Sequence, residues 1–148
     1  MESFFHYIQK SPFNMMLFGA MIASGAMLLW PLLVKAAGRG AREVGTAEAV
    51  QLINRRDALI VDVRDGGEFA QGHIANAKHI PLSELADRAS RDLEKFKNRP
   101  IVIADNTGTR AGGAVKLLEK AGFTEVVALR GGISAWTQAS MPLAKKSK

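Results

Sequence analysis

Two regimes of hydrophobic and polar positions follow one another along the chain. Residues 11–34 carry no charge, and Phe13 to Val34 is a run of 22 mostly apolar positions. Beyond it, short apolar runs alternate with stretches whose apolar residues recur three and four apart. Leu59 to Val63 predicts a strand buried on both faces of a parallel sheet. Lys78 to Ile80 predicts a short strand ended by Pro81. Pro100 to Ala104 predicts a third, with proline at its first position, and Glu125 to Leu129 the last. Between them the pattern predicts helices. The first runs from an N-capping Thr46, with Glu48 in its first turn, to about Asn54. One or two turns over Gly66 to Gln71 are closed by Gly72. Ser83 caps a helix with Leu85, Ala89, Leu93 and Phe96 inward and a break near Ala89–Ser90. Arg110 to Ala121 follows, with a stripe of Ala114, Val115, Leu117, Leu118 and Ala121 and a closing Gly122. Ile133 to Ala139 is the last. Strands alternating with helices imply a mostly parallel sheet covered on both sides. No repeat or low-complexity segment is visible.

As a helix, the 22-residue apolar run would span roughly 33 Å, enough for a hydrocarbon core of about 30 Å. Asn14, Gly19, Ser24, Gly25 and Pro31 interrupt it without adding charge. A secretory signal peptide is the rival, and Val34-Lys35-Ala36 offers a weak cleavage pattern. The run exceeds the roughly 7–15 residues of a signal's apolar region, and the chain keeps Met1, so a transmembrane anchor is expected. Lys35, Arg39 and Arg42 flank its C-terminal end, against Lys10 and Glu2 before it. The positive-inside rule then places the C-terminal domain in the cytoplasm of a single-pass protein of a bacterial cytoplasmic (inner) membrane. Trp30 and the Phe4, Phe5 and Tyr7 group suit the two interfaces. Gly19 with Ala23, or Ala20 with Ser24, forms a small-residue face able to pack on another helix. The expected organisation is a tail and transmembrane helix over 1–35, a juxtamembrane linker over 36–43, a domain over 44–144 and a basic tail over 145–148.

Charge changes the picture less than its total suggests. The chain of 148 residues has a formal net charge of +6. Yet Glu43 to Ala144 holds 13 Lys and Arg against 13 Asp and Glu. The surplus sits in the membrane flank and in Lys145, Lys146 and Lys148. A neutral body with basic ends points to anionic headgroups, or for the tail simply to solvent, and not to nucleic acid. There is no cysteine, which fits a reducing compartment.

Candidate chemistry centres on Asp105-Asn106-Thr107-Gly108-Thr109-Arg110, between the strand Ile101–Ala104 and a helix. A strand, a short Gly- and Arg-containing turn and a helix aim backbone N–H groups at one spot, where the helix dipole also favours an anion. An aspartate at its start can occupy that cradle itself, gaining about 0.5–2 kcal/mol as an N-cap. Asp62 and Asp65 are close enough in sequence to suggest an acidic cluster, but no His pair has metal spacing. His73 reads as a loop residue bonding backbone groups, and His79 suggests even less. Arg64 reads as the ion-pair partner of a carboxylate such as Glu68. Arg110 either points into the cradle, pairs with Asp105 or serves packing. Gly131-Gly132 reads as a turn.

Several separated segments, in order, give the chain a resemblance from about Val44 to Leu143. They are Asp62-Val63-Arg64, Gly72-His73-Ile74 with Ile80-Pro81, Gly108 with Arg110, Gly122-Phe123, and Leu129-Arg130-Gly131-Gly132-Ile133 with Trp136. Together they resemble a single rhodanese domain. The resemblance implies a mostly parallel five-stranded α/β sheet flanked by helices, here preceded by one N-terminal transmembrane helix. It implies a structural role for the acid at Asp62. It also implies that the first loop position should be a cysteine carrying sulfur as a persulfide, and here that position is Asp105. A carboxylate cannot form a persulfide, and no neighbouring thiol exists. The six-residue loop is therefore expected to be a degenerate active site with no catalytic residue, cofactor or metal. The expected function is that of an inactive binding or scaffolding module at the cytoplasmic face, its partners the lipid bilayer and other membrane or membrane-associated proteins. Two alternatives stay open: a tethered sulfurtransferase component using a partner's cysteine, and an anion sensor using the Gly108–Arg110 cradle.

Overall fold

A computed structural model describes residues 12–37 and 40–145. Phe4, Phe5, Tyr7, Lys10, Arg39, Lys146 and Lys148 lie outside the described residues.

Helix α1 is Pro12–Ala37, 26 residues. It runs on through Pro31 instead of ending there. From Pro12 to Trp30 its apolar side chains are mostly exposed, Met27 at 79% and Leu28 at 75%. From Pro12 to Trp30 it is long and apolar enough to cross a membrane. A soluble body would bury such a surface, because exposed apolar area of this extent is costly in water.

Residues 40–145 carry the α/β fold. In chain order the elements are β1 (Glu43–Val44), α2 (Thr46–Arg56), β2 (Leu59–Asp62), α3 (Gly66–Gln71), β3 (Lys78–His79), α4 (Leu82–Asp92) with a 3₁₀ turn at Glu94–Phe96, β4 (Ile101–Ala104), α5 (Ala111–Lys120), β5 (Val126–Leu129) and α6 (Gly132–Gln138). The sheet order is β1-β5-β4-β2-β3, and every pairing is parallel. Leu59 aligns with Ile101, and Ile101 with Val126.

Successive residues of a strand point to opposite faces, and the core divides accordingly. Val61, Ile101, Ile103, Val126 and Ala128 face α4 and α5. Ile60, Val102, Ala104, Val127 and Leu129 face α2 and α6. Both faces are covered, which is why the strands read as nearly unbroken apolar runs.

The structure moves several helix boundaries. Gly45, not Thr46, is the N-cap of α2, and the helix continues to Arg56. Only one residue separates it from β1, so Thr46 is already helical. Pro81, not Ser83, precedes α4, because the Leu82 amide is drawn onto the Val63 carbonyl at 3.1 Å. No break occurs at Ala89–Ser90; α4 is continuous to Asp92. On α5 the buried stripe is Ala111, Ala114, Val115 and Leu118. That is an i, i+3, i+4, i+7 set, which turns Leu117 outward at 37% exposure, and Ala121 lies beyond the last helical residue. Gly122, at φ +91, closes α5 as a Schellman turn. Its amide meets Glu119 O, and that of Phe123 meets Leu118 O, both at 3.1 Å.

Candidate functional site

A parallel sheet gathers the C-terminal ends of its strands on one side, where the loops following β2, β4 and β5 converge. At the end of β2, Asp62 is fully buried and its carboxylate holds the loop that follows. It accepts the Arg64 amide at 3.0 Å and Arg64 Nη2 at 2.7 Å. Arg64 also donates to Gly72 O at 2.7 Å. The buried ion pair thus ties the β2 loop to the end of α3. This corrects the expectation that Arg64 pairs with Glu68.

After β4, the Asp105 side chain turns inward and is 1% exposed. Its Oδ1 accepts the Gly108 amide at 2.6 Å and its Oδ2 the Arg110 amide at 2.7 Å. Charge-assisted bonds of this length are the strong class. Asp105 is not the helix N-cap, however. The capping position of α5 is Arg110, five residues on, and the carboxylate reaches across the loop to it. Nor does the Arg110 guanidinium meet Asp105. It lies 3.5 Å from Glu68 Oε2, half-exposed, while the same oxygen accepts the Asp65 amide at 3.3 Å. Asn106, Thr107 and Thr109 are exposed, with the two threonine hydroxyls 3.2 Å apart.

The loop after β5 braces this arrangement from behind. Ile133 N donates to Asp105 O at 2.8 Å and Ser134 N to Asn106 O at 3.1 Å. So close an approach admits no side chain. A Cβ on Gly132, at φ +57, would lie 2.3 Å from Asp105 O. Beside the loop a cavity is lined by Arg64, Glu68, Gln71, Asn106, Ile133 and Leu143.

His73 and His79 both serve the architecture. His73 Nδ1 meets Phe69 O at 2.9 Å, and its ring stacks on Phe69 at 3.9 Å. His79 Nε2 meets Arg64 O at 2.8 Å, with its ring 4.5 Å from that of Phe69. With a carbonyl as partner, each of those nitrogens must be the donor. Sequence reasoning missed Phe69 as the ring both imidazoles share; only the Phe69–His73 spacing of four hinted at it. The suggested Asp62–Asp65 cluster does not form, since Asp62 is engaged by Arg64 and Asp65 caps α3. Among the described residues no three His, Cys, Asp or Glu are placed to hold a metal.

Fold and loop together define a parallel α/β domain with a backbone-amide cradle closed by its own carboxylate. The family model for the rhodanese-like domain matches residues 46–139, and the chain belongs to the rhodanese-like domain family. It is similar to the uncharacterized protein YibN of Escherichia coli at 36% identity over 98 residues, covering 66% of this chain and 68% of that one. It is similar to the Coxiella burnetii thiosulfate sulfurtransferase GlpE at 30% over 95 residues, 64% of this chain and 86% of that one. Among solved structures, a rhodanese-like domain from Anabaena superposes with a TM-score of 0.64 at 32% identity, covering 70% and 78%. A rhodanese-like protein from Staphylococcus aureus gives 0.58 at 34%, covering 72% and 99%.

Proposed function

We propose that this chain is a membrane-anchored rhodanese-like module that binds other membrane or membrane-associated proteins at the cytoplasmic face and transfers no sulfur. The observation that carries the reading is the buried Asp105 carboxylate, which holds the loop amides where a persulfide would otherwise sit. Sulfur transfer needs a polarisable thiolate that attacks, holds and releases a sulfane sulfur. The similarity to a thiosulfate sulfurtransferase supplies the scaffold for that chemistry, but no residue here supplies the sulfur. What stays exposed is a polar surface of Asn106, Thr107, Thr109 and Arg110, suited to contact.

The full chain in detergent should therefore show no thiosulfate–cyanide sulfurtransferase turnover above buffer. Turnover that co-purifies with the protein through successive columns would overturn the inactive reading. For the anchor, the support is the outward-facing apolar surface of α1, with the basic flank Lys35, Arg39 and Arg42 giving the cytoplasmic orientation. Deleting residues 1–35 should release the remainder from membranes as a soluble protein. Continued sedimentation with membranes at high salt would place the attachment elsewhere.

A further inference from the structure

Arg64 is only partly accounted for by the ion pair that buries it. The residue is 4% exposed. Its Nε donates to both Asp62 oxygens at 3.0 and 3.1 Å, and its Nη2 to Asp62 Oδ2 and Gly72 O, each at 2.7 Å. A guanidinium carries five N–H donors, and the two on Nη1 meet no acceptor among the described residues. Nη1 is not sealed in the core either, since no buried side-chain nitrogen or oxygen among those residues lacks a partner. The space that Arg64 borders is the cavity beside the Asp105 loop, of about 230 Å³. Nη1 is therefore a donor aimed into that cavity. A charged donor this deep is costly to leave unmet.

The rest of the lining offers the complement. Glu68 Oε2 accepts the Asp65 amide at 3.3 Å and lies 3.5 Å from the half-exposed Arg110, while Glu68 Oε1 accepts nothing among the described residues. Ile133 and Leu143 add apolar wall. Asp62 balances the charge of Arg64, so the free N–H groups need an acceptor more than a net negative charge. An anion in this space would meet the Glu68 carboxylate, and a cation would offer Nη1 nothing. An apolar group would strip both Nη1 and Oε1 of solvent without replacing it. A primary carboxamide has a carbonyl for Nη1 and an N–H for Oε1. The volume falls short of the roughly 300–1,000 Å³ of small-molecule sites and suits a single side chain. We propose that the cavity receives the carboxamide of a glutamine or asparagine from a partner protein. The inference rests on the binding-module reading and deepens it by naming the chemistry the site reads.

The N-acetyl amides of glutamine, glutamate, lysine and norleucine share one backbone and differ only in side chain, which makes them the probes. They are titrated into the full chain in detergent, with its Ile and Leu methyls isotope-labelled for NMR. The Ile133 and Leu143 signals should shift saturably with the glutamine probe, which should bind about tenfold or more tightly than the other three. Equal or tighter binding of any of those three, or no shift with any probe, overturns the inference. Glu68→Met keeps the bulk and removes the carboxylate. In that chain the glutamate probe should overtake the glutamine probe, because Nη1 then meets an anion unopposed. An unchanged order in a folded variant overturns the inference as well. If the variant fails to fold, the order on the unaltered chain decides. Thiosulfate–cyanide turnover by the same preparation would instead overturn the binding-module reading, whatever the probes do.

Discussion

Asp105→Ala is expected to cost the domain about 1–3 kcal/mol, because it strands the Gly108 and Arg110 amides that the carboxylate now holds. The estimate exceeds an exposed N-cap, since the side chain is buried and its two bonds are short. The emptied cradle should then accept a small anion. Thermal melts of the variant should rise with added sulfate or thiosulfate, and those of the parent should not. Asp105→Cys should fold and present a thiol of lowered pKa, as the same amides favour a thiolate. The Arg110 guanidinium adds less to that than the sequence suggested, being turned toward Glu68. A variant as stable as the parent and indifferent to anions would mean the carboxylate does not hold the loop.

Gly132→Ala should be the most damaging single methyl in the domain. Alanine in a left-handed conformation costs about 1–2 kcal/mol. The added atom would also press on Asp105 O and on Asn106 C at 2.8 Å. Moving packed backbone aside adds about 1–3 kcal/mol, so a total of about 2–5 kcal/mol is expected. Gly113→Ala is the control. It sits on the exposed face of α5 with nothing within 4 Å of the new atom, and should stabilise by about 0.5–1 kcal/mol. Urea midpoints compare the two directly, and similar values for both would defeat the steric argument.

Much of this was legible in the sequence because the relevant signals are local. Leu59–Val63 and Ile101–Ala104 announce buried strands by composition, and Gly122 announces a helix end by its backbone freedom. Strand β1 was not legible, since Glu43–Val44 has no periodicity to read and forms only because β5 offers an edge. At the site, the loop residues and the amides that Asp105 holds were legible, but the partners of the two arginines were not. Arg64 turns back to Asp62, two residues away, because the loop after β2 curls, and Arg110 choosing Glu68 on α3 depends on strands β2 and β4 lying side by side. Spacing along a chain carries no trace of that. Ala114, Val115 and Leu118 of the expected stripe are buried, but Leu117 beside them turns outward, since an apolar residue one step off the buried face looks the same along the chain.

The contacts around the Asp105 loop close on themselves. Asp105 is held by α6 through Ile133. Trp136 of α6 donates to Pro142 O at 3.1 Å, and Ala144 pairs with His73 through bonds of 2.7 and 2.9 Å. His73 grips Phe69 on α3, and neighbouring Glu68 returns to Arg110 on the loop itself. Mechanically this is a hoop and not a projecting finger. Slack introduced at one link is taken up by the rest, and a load applied at Thr107 or Thr109 is spread to the chain's C-terminal segment and to α3 before the loop can yield.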